Sequence, residues 1–253
     1  MLTAISFSFL AGAMTGLGAL GVFLVRTLSP RLEDALLSVA AGIMLSASFF
    51  SLILPGLESA AQLGYGSATS TFIVIMGILL GALLVWLLHH YAPHEHFVLG
   101  QHGENAARLA RVWLFVITIT LHNLPEGMAV GVGFAGDPKN GMSLALGIGL
   151  QNIPEGLAVA AALLTVGYKH STAFLISLAT GLLEGLGGLL GASALLVARP
   201  MMPWILGFAA GAMLYIISDE VIPETHSRGY QTLATFSLIG GFVVMMFLDA
   251  TLG

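Results

Sequence analysis

The sequence predicts an all-α polytopic membrane protein with eight transmembrane helices, and three observations carry this prediction. Charged residues make up 8% of the 253 residues, against roughly 25% in an ordinary soluble domain. Apolar residues make up 57% of the chain, and its mean hydropathy is +0.95. The apolar residues fall into runs that are each long enough to cross a bilayer. A water-soluble globule is excluded, because so few charges could not cover its surface.

Loop residues separate the apolar runs and set the predicted spans. Pro, Gly, Asn and charged residues cluster between the runs, as in Gly136 to Lys139, where they mark turns. The chain is interpreted as a single domain over residues 1–253. Its eight predicted spans cover residues 4–25, 34–54, 69–91, 108–134, 142–166, 171–197, 202–222 and 230–251.

The basic residues predict the orientation of the spans. Only Lys139 and Arg199 lie in the loops after even-numbered spans. Because basic residues are concentrated in cytoplasmic loops, the opposite set of loops is placed in the cytoplasm and both termini are placed outside. The first span is interpreted as a retained helix rather than a signal peptide, since no basic residue precedes Arg26. The other set of loops carries Arg26, Arg31, Arg108, Arg111, Lys169 and Arg228.

Charge and cysteine content exclude several kinds of site. A net charge of -5 with 8 basic residues offers no phosphate-binding face, so nucleic acid is not an expected partner. The chain contains no Cys, which excludes disulfides and thiolate metal sites. Any metal must therefore be held by His, carboxylate, amide or thioether groups.

Two nearly identical segments lie in spans four and five. The first runs from Leu121 to Val130 as LHNLPEGMAV, and the second runs from Leu150 to Val159 as LQNIPEGLAV. Each segment places two polar side chains three and four positions before a Glu, which puts all three on one helical face. The polar residues are His122, Asn123 and Glu126 in the first segment and Gln151, Asn152 and Glu155 in the second.

The two intramembrane glutamates predict a bound cation. An ionised carboxylate at mid-membrane costs about 2.5 to 3.5 kcal/mol on insertion scales and is normally retained where it lines a pathway or has a partner. No Lys or Arg lies in either span core to neutralise Glu126 or Glu155. Pro125 and Pro154 remove helix donors nearby, so freed carbonyls are additional candidate oxygen ligands. An isolated Asn or His is more often a helix-packing group, but two near-identical segments favour a site.

Span six adds a third acid, Glu184, in a run of glycines that permits close approach of helices. Carboxylates, amides and one imidazole together make a mixed nitrogen and oxygen ligand set. That set suits Zn²⁺, Fe²⁺ or Mn²⁺ better than an alkali ion, and the imidazole argues against a dedicated Ca²⁺ or Mg²⁺ cage.

The paired motifs resemble those of the ZIP (Zrt/Irt-like) family of divalent-metal transporters, and the close spacing and short loops most resemble its GufA-like branch. The resemblance covers essentially the whole chain. It implies an inverted 3+2+3 repeat, with the first three and last three spans as inverted repeats and spans four and five as a symmetric pair. It also implies that spans one, four, five and six move against spans two, three, seven and eight, and that the protein is a homodimer.

The same resemblance implies a binuclear metal centre, bridged by Glu126 and Glu155. Met44 matches a family thioether near the first metal. This sequence departs from relatives that have His at position 151 or Asp at position 152, and an amide at position 152 lowers the negative charge of the second site. The implied ligands are His122, Glu126, Gln151 and Glu155 at one metal, and Asn123, Glu126, Asn152, Glu155 and Glu184 at the other.

The remaining acids suggest an entrance and an exit for the cation. Glu58 and Asp249 are placed at the outer surface, where they would gather cations. A group at the cytoplasmic end of span seven would receive the metal: Asp219, Glu220, Glu224 and His226. For each of these residues the alternative is a carboxylate or imidazole that is simply solvated.

A histidine-containing cytoplasmic loop is predicted at about residues 92–107. His94 and His96 flank Glu95 in a short tract of the kind that gathers metal ions. The alternative is a solvated linker.

The predicted function is transport of Zn²⁺ into the cytoplasm, with Fe²⁺, Mn²⁺ and Cd²⁺ as further candidate cargo and no organic cofactor. Two alternatives remain open, an intramembrane metalloenzyme and a metal sensor that does not transport. The metalloenzyme has little support, because His94-Glu95 is not followed by the second His of an H-E-x-x-H motif. The expected partners are the lipid bilayer and a second copy of the chain, and the expected location is a bacterial cytoplasmic (inner) membrane.

Overall fold

A computed structural model describes residues 1–24, 29–91, 104–197 and 199–252, and every regular element in those ranges is helical. Two 3-10 segments, Leu20–Phe23 and Arg199–Met201, and two π-helical segments, Ser48–Ile53 and Ile217–Val221, adjoin α-helices. The α-helices are α1 (Leu2–Ala19), α2 (Pro30–Ala47), α3 (Leu54–Gln62), α4 (Ser67–Tyr91), α5 (Glu104–Gly136), α6 (Pro138–Thr165), α7 (His170–Val197), α8 (Met202–Ile216), α9 (Ile222–Thr225) and α10 (Gln231–Leu252).

The helices confirm the predicted class of an all-helical polytopic membrane protein. Within the described residues, seven helical stretches are long and apolar enough to cross a membrane. The predicted fourth span falls on α5, a helix of 33 residues that is not among those seven. The seven stretches are Leu2–Phe23, Pro30–Gln62, Ser67–Leu87, Pro138–Thr165, His170–Ser193, Met202–Thr225 and Gln231–Leu252.

Two prolines that were expected to end spans lie inside continuous helical stretches. The sequence placed the ends of spans two and seven just before Pro55 and Pro223, but the helical stretches continue to Gln62 and Thr225. A π-helical segment lies ahead of each proline. The wider π-helical turn accommodates the proline, because proline lacks a backbone N–H and its ring would clash with the preceding turn of a regular α-helix.

Four helices, α1, α5, α6 and α7, pack closely through glycines. A Cβ atom on Gly156 of α6 would lie 1.9 Å from the backbone oxygen of Thr15 on α1. A Cβ atom on Gly127 of α5 would lie 1.9 Å from the backbone oxygen of Glu184 on α7. Only glycine permits such an approach, so the glycine that follows the Glu of each repeated motif sets how close its helix comes to the neighbouring helix.

The other long helices pair in the same way, α2 with α10 and α4 with α8. A Cβ atom on Gly42 of α2 would lie 1.9 Å from the backbone oxygen of Leu238 on α10. Between the two groups of four helices lies a cluster of buried apolar side chains. The cluster that joins them includes Ala41 and Ile43 of α2 and Leu144 and Ile148 of α6.

Candidate metal centre

The two motif helices run without interruption through their prolines, α5 through Pro125 and α6 through Pro154. The polar side chains of each motif therefore keep helical spacing and project from one face. The motif side chains whose burial is described are almost completely inaccessible: Asn123, Glu126, Gln151 and Asn152 at 0% exposure and Glu155 at 4%. The backbone of His122 lies in α5, but its side chain is outside the described part of the structure.

Hydrogen bonds connect the motif residues across three helices. The side-chain amide of Gln151 on α6 donates to Oε1 of Glu126 on α5. The amide of Asn152 donates to Oε1 of Glu184 on α7, with Nδ2 2.5 Å from the oxygen. The structure therefore brings the acid of span six to the paired motifs.

The first helix also reaches this centre, although the sequence assigned no ligand to it. Asn152 Nδ2 lies 2.8 Å from the backbone oxygen of Ala11 on α1, in addition to its bond to Glu184. A backbone carbonyl leaves no signal in the sequence, so only the packing of α1 against α6 reveals this contact.

Five buried oxygens in the centre have no hydrogen-bond partner among the described residues. A buried acceptor without a partner costs about 1 to 3 kcal/mol, and native proteins contain few of them. Their concentration on three helices favours an occupant that binds oxygen, such as a cation. The five atoms are Asn123 Oδ1, Glu126 Oε2, Gln151 Oε1, Asn152 Oδ1 and Glu184 Oε2.

The carboxylates do not form a ready-made cage in this structure. Among the described residues, no group of three or more His, Asp or Glu side chains has the spacing to hold a metal ion. Instead, amide donors from Gln151 and Asn152 occupy one oxygen each of Glu126 and Glu184. An amide carries its oxygen beside its nitrogen, so a half-turn of the last side-chain bond would replace the donor with a metal ligand.

Met44, the predicted thioether ligand, lies on α2 and is 1% exposed. It belongs to the apolar cluster between the two helix groups, which also contains Ala145 and Ile148 of α6.

The residues of the predicted entrance lie near the end of α2. Asp249 on α10 accepts a hydrogen bond from Ser51 Oγ at 2.6 Å. Ser51 lies in the first π-helical segment, four residues before Pro55, so its backbone oxygen lacks the usual helical donor. That oxygen accepts a bond from Asn140 Nδ2 at 3.1 Å. Glu58 is exposed on α3.

At the opposite end of α2, an arginine binds several acids. Arg228 contacts Glu33 at 2.8 Å and lies 3.5 Å from Asp34, and it also pairs with Glu224. Asp34 is completely buried. Sequence reasoning used Arg228 only for orientation and missed this ion-pair cluster, because its members come from distant parts of the chain.

Two residues of the predicted exit, His226 and Glu224, contact residues close to them in the chain. His226 lies with Nδ1 2.9 Å from the backbone oxygen of Ile222 and Nε2 3.2 Å from Thr235 Oγ1. Glu224 pairs with Arg228. Asp219, which is exposed, and Glu220 lie in the second π-helical segment. His94 and His96 of the predicted metal-gathering loop lie outside the described residues.

Comparison with known proteins gives consistent results. The family model described as ZIP Zinc transporter matches residues 89–249. The chain is 49% identical over 245 residues to Zinc transporter ZIPB from Bordetella bronchiseptica, covering 95% of this chain and 78% of the relative. It is 44% identical over 247 residues to Zinc transporter GufA from Myxococcus xanthus, covering 97% of each chain. It is 33% identical over 328 aligned positions to the human Zinc transporter ZIP11, covering 97% of this chain and 96% of the relative.

Proposed function

The chain belongs to the ZIP family of zinc transporters, and we propose that it carries Zn²⁺ across the membrane into the cytoplasm through the buried centre on α5, α6 and α7. One observation carries the proposal: five buried oxygens without partners among the described residues lie on three adjacent helices. Named zinc transporters among the relatives favour a transporter over an intramembrane enzyme. Fe²⁺, Mn²⁺ and Cd²⁺ are proposed as further cargo, because the ligand set suits borderline divalent ions.

The centre is proposed to hold two metal ions bridged by Glu126 and Glu155. Support comes from Glu126, which keeps one oxygen free while Gln151 binds the other. Asn123 supports the second position, since both of its side-chain polar atoms are buried without partners among the described residues. The proposed ligands are His122, Glu126, Gln151, Glu155 and Met44 at one metal, and Asn123, Glu126, Asn152, Glu155 and Glu184 at the other.

An inverted 3+2+3 repeat is proposed for the fold, and the close helix contacts support it. Where α1 meets α6, Gly18 contacts the Ile153 oxygen and Gly156 contacts the Thr15 oxygen. Where α7 meets α5, the same pattern joins Gly187 to the Leu124 oxygen and Gly127 to the Glu184 oxygen. Gly18 and Thr15 of α1 are separated from Gly187 and Glu184 of α7 by the same number of residues. Leu124 and Gly127 of α5 are likewise separated from Ile153 and Gly156 of α6 by one common, smaller number of residues.

The remaining helices follow the same relationship. Gly42 on α2 meets the Leu238 oxygen on α10, and Gly211 on α8 meets the Ile78 oxygen on α4. The shift from Gly42 to Gly211 equals the shift that relates α1 to α7, so α2 corresponds to α8 and α4 to α10. The first residues of the two π-helical segments, Ser48 and Ile217, are related by that same shift.

Eight spans with both termini outside are proposed. Hydrogen bonds and ion pairs at the two ends of α2 support the assignment of successive loops to alternate sides of the membrane. Arg228 joins the loop after the seventh predicted span to the start of the second, at Glu33. Ser51 joins the far end of α2 to Asp249 and Asn140. Because basic residues are in excess in the loops on the side of the membrane where Arg228 lies, that side is assigned to the cytoplasm.

The proposed motion carries α1, α5, α6 and α7 past α2, α4, α8 and α10. Within each group, glycines bring backbones into contact, as at Gly127 and Gly42. Between the groups, side chains such as Ile43 and Ile148 form an aliphatic interface. Asn140 Nδ2 of α6 also donates to the Ser51 oxygen across this interface, but contacts between aliphatic side chains resist sliding less than close backbone packing does.

A homodimer in a bacterial cytoplasmic membrane is proposed as the working form. Both points rest on the family and on the bacterial relatives, and the helices themselves support a multi-pass membrane protein. Native mass spectrometry of the purified protein tests the dimer.

Uptake of radioactive zinc into proteoliposomes tests the function. The parent chain is compared with Glu126→Gln combined with Glu155→Gln, which keeps the size of both side chains and removes both charges. Asp137→Asn is the matched control, because it removes one exposed acid at the start of α6 and retains an N-cap side chain. Uptake by the parent and the control, with loss in the double variant, supports transport. A parent chain that binds zinc without uptake would instead be a sensor.

Two further measurements test the finer proposals. Calorimetric titration with zinc is expected to give two ions per chain, and a single ion would remove the binuclear centre. Because the natural chain has no Cys, single cysteines report orientation without background. A membrane-impermeant thiol reagent added to intact cells is expected to label Gly66→Cys, outside, and to spare Lys169→Cys. The reverse pattern would invert the topology.

A further inference from the structure

Two serines lie at equivalent positions of the helices that pack against the two motifs. Ser8 on α1 and Ser177 on α7 are both completely buried. Their separation along the chain equals that between Gly18 and Gly187, which relates the contacts of α1 to those of α7. Neither serine belongs to the predicted ligand set.

Each serine hydroxyl donates to the glycine carbonyl of one repeated motif. Ser8 Oγ lies 3.2 Å from the backbone oxygen of Gly127 on α5. Ser177 Oγ lies 2.9 Å from the backbone oxygen of Gly156 on α6. Gly127 directly follows Glu126, and Gly156 directly follows Glu155. The same bond therefore occurs twice, once beside each of the two glutamates proposed to bridge the metals.

From this relationship we infer that Ser8 and Ser177 are positioning residues for the metal centre, an inference that rests on the proposed function. Close packing through glycines sets the distance between two helices, but it supplies no directional bond that fixes the rotation of each helix about its own axis. A directional hydrogen bond to the backbone next to the glutamate fixes that rotation. The carboxylate is then held where the metal needs it before the metal arrives.

Ser8 has a larger role than Ser177, because it reaches a second helix of the centre. Its single hydroxyl hydrogen is shared between the Gly127 oxygen and the backbone oxygen of Glu184 on α7, which lies closer, at 2.9 Å, and belongs to the residue that supplies the third acid. One hydroxyl on α1 thus contacts the segments of α5 and α7 that carry two of the three carboxylates. This contact gives α1, which carries none of the proposed ligands, a defined part in the site.

The experiment measures zinc affinity and transport in the full-length protein, with Ser8→Ala and Ser177→Ala each compared with the parent. Loss of one neutral hydrogen bond corresponds to about a fivefold rise in the zinc Kd. We expect at least that change for Ser8→Ala, a smaller change for Ser177→Ala, and a KM for uptake that rises more than kcat falls. Ser143→Ala is the matched control, since its buried hydroxyl on α6 has no partner among the described residues.

A conservative variant separates positioning from packing. Ser8→Thr and Ser177→Thr retain the hydroxyl donor, and each is expected to return the Kd to within about twofold of the parent. Threonine variants that bind as weakly as the alanine variants would overturn the inference. The two positions are tested separately, so each also serves as the second test if an alanine variant of the other does not fold.

Two other outcomes are distinguishable. Alanine variants that lower the melting temperature of the zinc-free protein, with an unchanged zinc Kd, would assign the serines to stability alone and overturn the inference while leaving the proposed function intact. A parent chain that neither binds nor transports zinc would overturn the proposed function, and the inference would fall with it.

Discussion

Asn152 Nδ2 lies 2.5 Å from Oε1 of Glu184, so an amide donor contacts the buried acid of α7. The same nitrogen lies 2.8 Å from the backbone oxygen of Ala11, which ties α6 to both α7 and α1. A carboxylate at position 152 could not make either bond while ionised. In this chain Asn152 stabilises the metal-free centre, but it offers the metal a neutral amide in place of a negatively charged ligand.

Asn152→Asp is therefore expected to have opposite effects on the empty and loaded protein. Without zinc, loss of the donor and repulsion from Glu184 should lower the unfolding free energy by about 1 to 3 kcal/mol. With zinc, the added charge should tighten binding by about tenfold, so the rise in melting temperature on adding zinc should be larger than in the parent. Melting curves with and without zinc measure both effects. An equal zinc-induced rise in both proteins would contradict this account of position 152.

Gly127→Ala is expected to disrupt the packing of α5 on α7. The added Cβ would lie 1.9 Å from the backbone oxygen of Glu184, where only a backbone shift can relieve the overlap. Overpacking of this kind costs about 1 to 3 kcal/mol or more. Gly240→Ala on α10 is the control, because nothing lies within 4 Å of its Cβ position and alanine favours the helix. In detergent, the melting temperature should fall and the size-exclusion elution profile should change for Gly127→Ala but not for Gly240→Ala.

Arg228→Ala should destabilise the protein through Asp34. The aspartate is completely buried, and the guanidinium 3.5 Å away is its counter-charge. We expect a loss of about 1 to 3 kcal/mol in unfolding free energy, because the buried carboxylate is left without that partner.

The control for this prediction is Glu224→Gln, which removes the half-exposed acid paired with the same arginine and should change stability by about 0 to 1 kcal/mol. Combining Asp34→Asn with Arg228→Ala should restore most of the loss. A double variant no more stable than Arg228→Ala would show that Asp34 is not the group responsible.

Met44→Leu tests the predicted thioether ligand. Leucine conserves the volume of the side chain, so the apolar packing of α2 against α6 should persist. If the sulfur contacts the metal, affinity for the softer Cd²⁺ should fall about threefold more than affinity for Zn²⁺. Met213→Leu on α8 is the matched control, since Met213 is also completely buried in the same apolar cluster. Competition titrations with the two metals measure the ratio, and equal changes for both variants would remove Met44 from the ligand set.

The sequence by itself determined the membrane class and the helical fold, and it singled out the residues of the candidate centre. Scarcity of charge leaves only a bilayer as solvent, and continuous apolar runs in a bilayer must be helices because every backbone group needs an internal partner. The paired motifs also stood out, because Glu126 and Glu155 lack basic partners in their span cores. Such features depend on neighbouring residues along the chain.

The tertiary structure decided which distant groups meet. Sequence patterns could not show that Pro55 lies within a continuous helical stretch, that Arg228 contacts Asp34, or that Ser8 donates to a carbonyl on a helix far along the chain. Each of these features depends on the packing of helices or on a local change of helix type that the residue pattern does not reveal. In a membrane that packing is set by close contact of small residues and by single hydrogen bonds, and neither leaves a periodic pattern in the sequence.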